Sequence, residues 1–207
     1  MRTLHVDDAD ALTEAVAALR AGGVVVVPTD TVYGLAALPD MQRAVDRIYQ
    51  AKDRPDHLHL PVLAGSLDQV RRLGVEFTAA ATTLAARWWP GPLTLVFGFS
   101  EKATRPRWLA ARDEVAVRIP QTDFLLTLLQ ATGVLMVTSA NRHGETTPVS
   151  APEAGRRLAP HVDLVIDAGT LDSSPSTLVN VHTRHPEIER EGAIPRHAVV
   201  SALEHSP

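Results

Sequence analysis

The sequence predicts an α/β fold, with a parallel or mixed sheet covered by helices. Two observations carry this. Helix-like and strand-like segments alternate along the whole chain, which argues against a helical bundle or a sandwich. The run Val24-Val-Val-Val27 reads as a strand buried on both faces. That strand stops at Pro28, and two threonines, a carboxylate and a phenol follow before Gly34. Open α/β sheets place ligands outside the carboxyl ends of their strands, so this polar turn is a candidate site. An ordinary strand-to-helix turn would read the same way.

The elements follow in order. A helix is expected over residues 8–20, with Leu12, Val16 and Leu19 on one face and Gly22-Gly23 as its stop. Strand 24–27 comes next, then a helix near 40–51 capped by Asp40. Residues 60–64 read as a short strand, and Ser66 and Thr78 as caps for two further helices. Strands are expected at 93–99 and 114–119. A helix near 122–132 ends at Gly133 and delivers the chain into strand 134–137. Segments 164–166, 177–181 and 188–190 complete the strands. Stretches 144–152 and 172–177 read as loops, and from Ala193 the chain forms a last helix or a frayed tail. No repeat or long linker interrupts it, so one domain over residues 1–207 is expected.

Composition narrows the function. At 207 residues, 45% hydrophobic and 21% charged, the chain suits a soluble globular protein. No apolar run approaches the roughly 20 residues of a membrane helix, and the first eight residues lack a signal-peptide core. The absence of cysteine excludes disulfides, thiol catalysis and thiolate metal sites, and fits a cytoplasmic location. A net charge of −4 argues against a broad nucleic-acid surface, leaving any RNA contact to a local basic patch.

Six segments carry candidate chemistry. The first is the turn after strand 24–27. The second is Lys52-Asp-Arg54 before Pro55: two cations at a helix end are explained first by the negative pole of the helix dipole, while Pro55 leaves both at a junction from which they could clamp phosphate. In the third, Trp88-Trp-Pro-Gly-Pro-Leu-Thr94, a rigid turn leads Thr94 into a strand, a pattern that packing alone also explains. In Val115-Ala-Val-Arg118, a cation inside an apolar strand must pair, snorkel or line a polar cavity. The fifth kind of segment repeats the first: strand 134–137 ends in Thr138, Ser139 and Asn141, and Ser176 and Asn180 bracket a later strand, with Arg190 beyond. Hydroxyls, amides and cations with few carboxylates suit a polyanion such as a nucleoside triphosphate. No P-loop, G-x-G-x-x-G, G-x-S-x-G or H-E-x-x-H pattern occurs.

In order, Pro28-Thr-Asp-Thr-Val-Tyr-Gly-Leu35, Lys52-x-Arg-Pro55, Trp89-Pro-Gly-Pro-Leu-Thr94, Val117-Arg-Ile-Pro120, Ser139-Ala-Asn141 and Ser176-Thr177 resemble the YrdC-like family. The resemblance spans about residues 10–195. It implies a single-domain, twisted mixed sheet with flanking helices around an open, positively charged concave cavity. It further implies the reaction of the family's L-threonylcarbamoyladenylate synthases: L-threonine, bicarbonate and ATP give threonylcarbamoyl-AMP and pyrophosphate. A separate threonylcarbamoyl transferase then modifies adenosine in tRNA. On this resemblance, Lys52 and Arg54 hold the triphosphate and are the catalytic pair. Thr94, Ser139, Asn141 and Arg190 contact ATP. Thr31, Tyr33, Arg118, Ala140 and Ser176 contact threonine, Arg118 through its carboxylate, while Asp30 braces the turn. Mg²⁺ is expected to accompany ATP, with no metal site of the protein's own. The alternatives are a paralogue of weak or different activity, and a module binding tRNA or double-stranded RNA.

The chain departs from the family pattern at four places. Leu63 stands where long members carry a histidine, Asn180 where aspartate is usual, and His143 where a small residue is common; Leu60 and Pro61 alter the loop after Arg54. The additional C-terminal domain of long members is not expected here.

Overall fold

The computed structural model describes residues 1–101 and 103–204. Its elements run β1 (Arg2–His5), α1 (Ala11–Arg20), β2 (Val25–Val27), β3 (Gly34–Ala37), α2 (Gln42–Lys52), β4 (Val62–Leu63), α3 (Leu67–Arg71) and α4 (Ala79–Trp88). They continue with β5 (Leu93–Gly98), β6 (Glu114–Arg118), α5 (Asp123–Thr132), β7 (Leu135–Ser139), α6 (Ala151–Leu158), β8 (Leu164–Asp167), β9 (Thr177–Asn180), β10 (Glu187–Arg190) and α7 (Arg196–Glu204). All ten strands join one mixed sheet in the order β1-β8-β2-β3-β7-β4-β6-β5-β9-β10.

The valine run behaves as its composition requires. Val24 and Val26 enter one apolar cluster, with α2 and α6, while Val25 and Val27 enter another, with α1 and α5. β2 is therefore buried on both faces. The other half of the sheet is built differently. Leu93, Leu95, Phe97, Val115, Val117 and Val179 pack on one face against α4 and α7. Because side chains alternate along a strand, Thr94, Val96, Ala116, Arg118 and Leu178 point to the opposite face. Those five residues line a cavity.

Three elements escape the sequence pattern. β3 consists of Gly-Leu-Ala-Ala, without β-branched residues, and forms because it is clasped antiparallel between β2 and β7. β1 is short and mostly exposed, and pairs in parallel with β8. α6 occupies part of the stretch expected as loop: its Pro lies in the first turn, where no amide donor is needed. Asp40 does not cap α2, whose N-cap is Met41 without a side-chain bond. α1 starts at Ala11 and buries Ala11, Ala15 and Leu19, leaving Leu12 and Val16 half-buried beside them. Ser66 and Thr78 cap as expected, accepting from the amides of Gln69 and Ala81.

Candidate functional site

The cavity has a volume of about 740 Å³ and opens across β7, β4, β6, β5, β9 and β10. Its walls are set by three hydrogen-bonded clusters, each seated where an apolar strand ends.

The first cluster is the turn after β2. Arg118 donates from Nη1 to Thr31 Oγ1 at 2.9 Å and from Nε to the Gly91 carbonyl at 3.0 Å. Thr29 Oγ1 donates to the Val32 carbonyl at 2.7 Å and lies 3.0 Å from Thr31 Oγ1. A hydroxyl has one proton, so Thr31 gives its own to Thr29 and accepts from Arg118. Asp30 meets Arg118 Nη2 as an ion pair rather than as an aligned hydrogen bond. The buried cation in β6 is thus paired, and Asp30 braces the turn.

The second cluster joins β5, β9 and β10. Thr94 Oγ1 lies 2.8 Å from Ser176 Oγ. Arg190 wraps the same residue, donating from Nε and Nη2 to the Ser176 carbonyl at 3.1 and 2.9 Å and from Nη2 to its hydroxyl at 3.2 Å. Gly192 permits this approach: a Cβ there would lie 2.2 Å from the Pro175 carbonyl oxygen.

The third cluster centres on Lys52. The side chain is buried, and its Nζ donates to the carbonyls of Ser139 and Asn141, each at 2.6 Å. Its own carbonyl accepts from His143 N at 2.8 Å. Burial, with a smaller contribution from the charge of Arg54, lowers the Lys52 pKa to about 8. Asn141 then fixes the following loop, donating from Nδ2 to the carbonyls of Arg142 and Glu145 and accepting from Thr147. Arg54 leaves α2 through Asp53, the only non-glycine residue at positive φ among the described residues, and enters the cavity wall. Its guanidinium holds the carbonyls of Leu58 and His59 at 2.8 and 3.2 Å, and burial lowers its pKa.

The structure gathers most of the residues singled out from sequence around this one space: Thr31, Arg54, Thr94 and Arg118, with Ser139, Asn141, Ser176 and Arg190. Three stand apart. Lys52 is not on the wall; it lies behind Ser139 and Asn141 and holds their carbonyls. Ala140 is fully buried in the core beneath α2 and α6 and also stays off the wall. Tyr33 touches the cavity, but its hydroxyl turns to the end of β8, donating toward the Gly169 carbonyl at 2.7 Å and accepting from Ala168 N. Burial first, and Asp167 beside it, push its pKa up to about 12.

Sequence reading passed over Glu114, Glu145 and Glu189, which line the space together with the exposed loop histidines His57 and His59. The three carboxylates are exposed, so the cavity is less purely cationic than expected. They do not form a metal cluster; no group of three or more metal-ligating side chains occurs among the described residues. Of the departures noted in sequence, Leu63 lines the cavity, whereas Asn180 is tied to Glu189 and the His182 amide.

An open α/β sheet that carries three guanidiniums, paired hydroxyls and an amide around its uncovered face presents hydrogen-bond donors suited to an anion. The chain belongs to the Sua5/YciO/YrdC family, described as telomere recombination, whose model matches residues 17–192. Among curated relatives, a threonylcarbamoyl-AMP synthase of Pyrococcus abyssi is 36% identical over 86% of this chain and 52% of its own. A putative threonylcarbamoyl-AMP synthase of Mycobacterium tuberculosis is 33% identical over 93% of this chain and 88% of its own. Among solved structures, P. abyssi Sua5 complexed with L-threonine superposes with a TM-score of 0.86 at 32% identity, covering 98% of this chain and 60% of that one. E. coli YciO gives 0.80 at 27% identity, covering 92% and 94%. The chain thus spans about half the length of the first two curated relatives it matches.

Proposed function

We propose that this chain makes L-threonylcarbamoyl-AMP from L-threonine, bicarbonate and ATP, releasing pyrophosphate and water. The product would supply a threonylcarbamoyl transferase acting on adenosine in tRNA. The observation that carries the reading is the joining of Arg118–Thr31, Thr94–Ser176–Arg190 and Arg54 around one cavity. The family's synthase-named members and the fold shared with the threonine-bound P. abyssi protein support it.

The chemistry is nucleotidyl transfer. Bicarbonate supplies CO2, to which the threonine amine adds with loss of a proton, giving a carbamate. The carbamate oxygen attacks the α-phosphorus of ATP, a P–O bond forms, and the bond to the β-phosphate oxygen breaks as pyrophosphate leaves. Little acid–base assistance is needed; charge neutralisation and in-line positioning are. Arg118, fixed by Thr31 and Gly91, takes the threonine carboxylate. Arg54 exchanges its carbonyl partners for phosphate oxygens, a stronger charge-assisted bond. Thr94, Ser176 and Arg190 orient the nucleotide and amino acid between them. Lys52 acts from behind the wall, holding the Ser139–Asn141 carbonyls so that their amides and side chains keep their aim. Mg²⁺ would arrive with ATP and neutralise phosphate charge, the exposed Glu114, Glu145 and Glu189 being too dispersed for a cage of their own.

The test is pyrophosphate release by the purified protein with ATP, bicarbonate and each of several amino acids. Release that requires L-threonine is expected. Release indifferent to threonine would overturn the reading.

A further inference from the structure

A second cavity, of about 640 Å³, lies on the outer side of the 55–61 loop. Its size is within the range of small-molecule pockets, roughly 300–1,000 Å³. One wall is the face of α2 that carries Gln42, Val45, Asp46, Tyr49 and Gln50; Trp108 and Arg112 stand in the wall as well, and Met136 of β7 contributes to the lining. Arg54 lines both cavities, so the loop between them is a partition.

That partition is held from the outer side. Tyr49 Oη donates to the Leu58 carbonyl at 3.3 Å, beside the Arg54 bonds to Leu58 and His59. Arg112 Nη1 donates to the Leu60 carbonyl at 3.3 Å. Both guanidiniums are half-buried, and burial lowers the pKa of each. Asp56 also lines the trough and is exposed. Two arginines gather near the C-terminal end of α2, and an amide–carboxylate pair, Gln42 Nε2 donating to Asp46 Oδ1 at 2.7 Å, lies about two turns away. Tyr49 and Trp108 are the aromatic residues of the lining.

We infer that this trough is a second ligand site, taking a nucleoside monophosphate. The Arg112 guanidinium matches the phosphate, aromatic rings accept a stacked base, and the polar residues of α2 match the hydrogen-bonding edge of a base or ribose. The site is distinct from the large cavity and shares with it only Arg54. It does not depend on the reaction proposed above.

AMP is the probe. Titration calorimetry on the full chain would count AMP equivalents in the wild type, Asp46→Trp and Gln50→Trp. Positions 46 and 50 are exposed on α2, so the indole fills the trough without entering the core. Loss of one AMP equivalent in a folded blocking variant, with threonine-dependent pyrophosphate release unchanged, is expected. Wild-type stoichiometry in both variants would overturn the inference. If pyrophosphate release fails in every protein while the equivalent is still lost, the proposed reaction falls and the site stands. Trp108→Phe adds a further check: it should keep AMP affinity but abolish the AMP-dependent quenching of tryptophan fluorescence. Quenching of equal size in Trp108→Phe would show that AMP does not reach the trough.

Discussion

Lys52 donates to two carbonyls and is out of reach of the cavity surface, so its charge matters through the backbone it organises. Its pKa is lowered from 10.5 to about 8, chiefly by burial. Between those values the unfolded chain holds a proton that the folded chain has released. Its contribution to stability therefore rises with pH from about 8 toward 10.5, while the ordering charge is being lost. ATP affinity is expected to fall through an alkaline limb near pH 8, a limb that Lys52→Arg should remove. A limb unchanged in Lys52→Arg would assign it to another group. Arg118 makes a sharper case. Its removal leaves the solvent-shielded Asp30 carboxylate without its ion-pair partner, so Arg118→Met should cost about 3–5 kcal/mol in urea unfolding. Arg118→Met/Asp30→Asn should recover part of that loss. Arg118 was readable from sequence because a cation inside an apolar strand demands a partner. Lys52 invited the phosphate-clamp reading because its spacing from Arg54 says nothing about burial.

Elements were legible where composition and burial agree. β2, β5 and β6 are rich in β-branched or large apolar residues, and each appears where the sequence places it. β3 is not legible in that way: small residues form a strand only because two neighbours supply its hydrogen bonds. α6 was hidden by Pro152 and Gly155, residues usually found in loops. Gly155 is there for packing, since a Cβ would meet Val165 Cγ2 at 2.7 Å. Gly155→Ala should accordingly destabilise the protein. The roughly 1 kcal/mol gain in helix propensity is outweighed by overpacking against a stiff β-branched side chain in a buried strand. A thermal midpoint raised in Gly155→Ala would contradict that packing account. The hydroxyl and guanidinium groups at strand ends could be picked out in the sequence. The apolar cavity floor of Val96, Ala116 and Leu178 could not, because β5 and β9 carry apolar residues on both faces.

At the scale of the whole molecule, function follows from unequal coverage of one sheet. Helices pack on both faces of the β8–β2–β3–β7 half, but α4 and α7 cover only one face of β5, β6 and β9. The uncovered face becomes the cavity, and a ligand there bridges strands far apart in sequence. Threonine and ATP together should therefore stabilise the fold by mass action, by about 2.7 kcal/mol at a hundredfold excess over Kd for a single site. A thermal midpoint unmoved by both ligands would argue against binding in this space. The central claim, that the cavity joins threonine, bicarbonate and ATP, is tested most directly by following labelled carbon. With ¹³C-bicarbonate, L-threonine and ATP, mass spectrometry should detect an AMP adduct carrying both threonine and one labelled carbon, lost in Arg118→Met. An adduct without the label, or none at all while ATP and threonine still bind, would contradict the account.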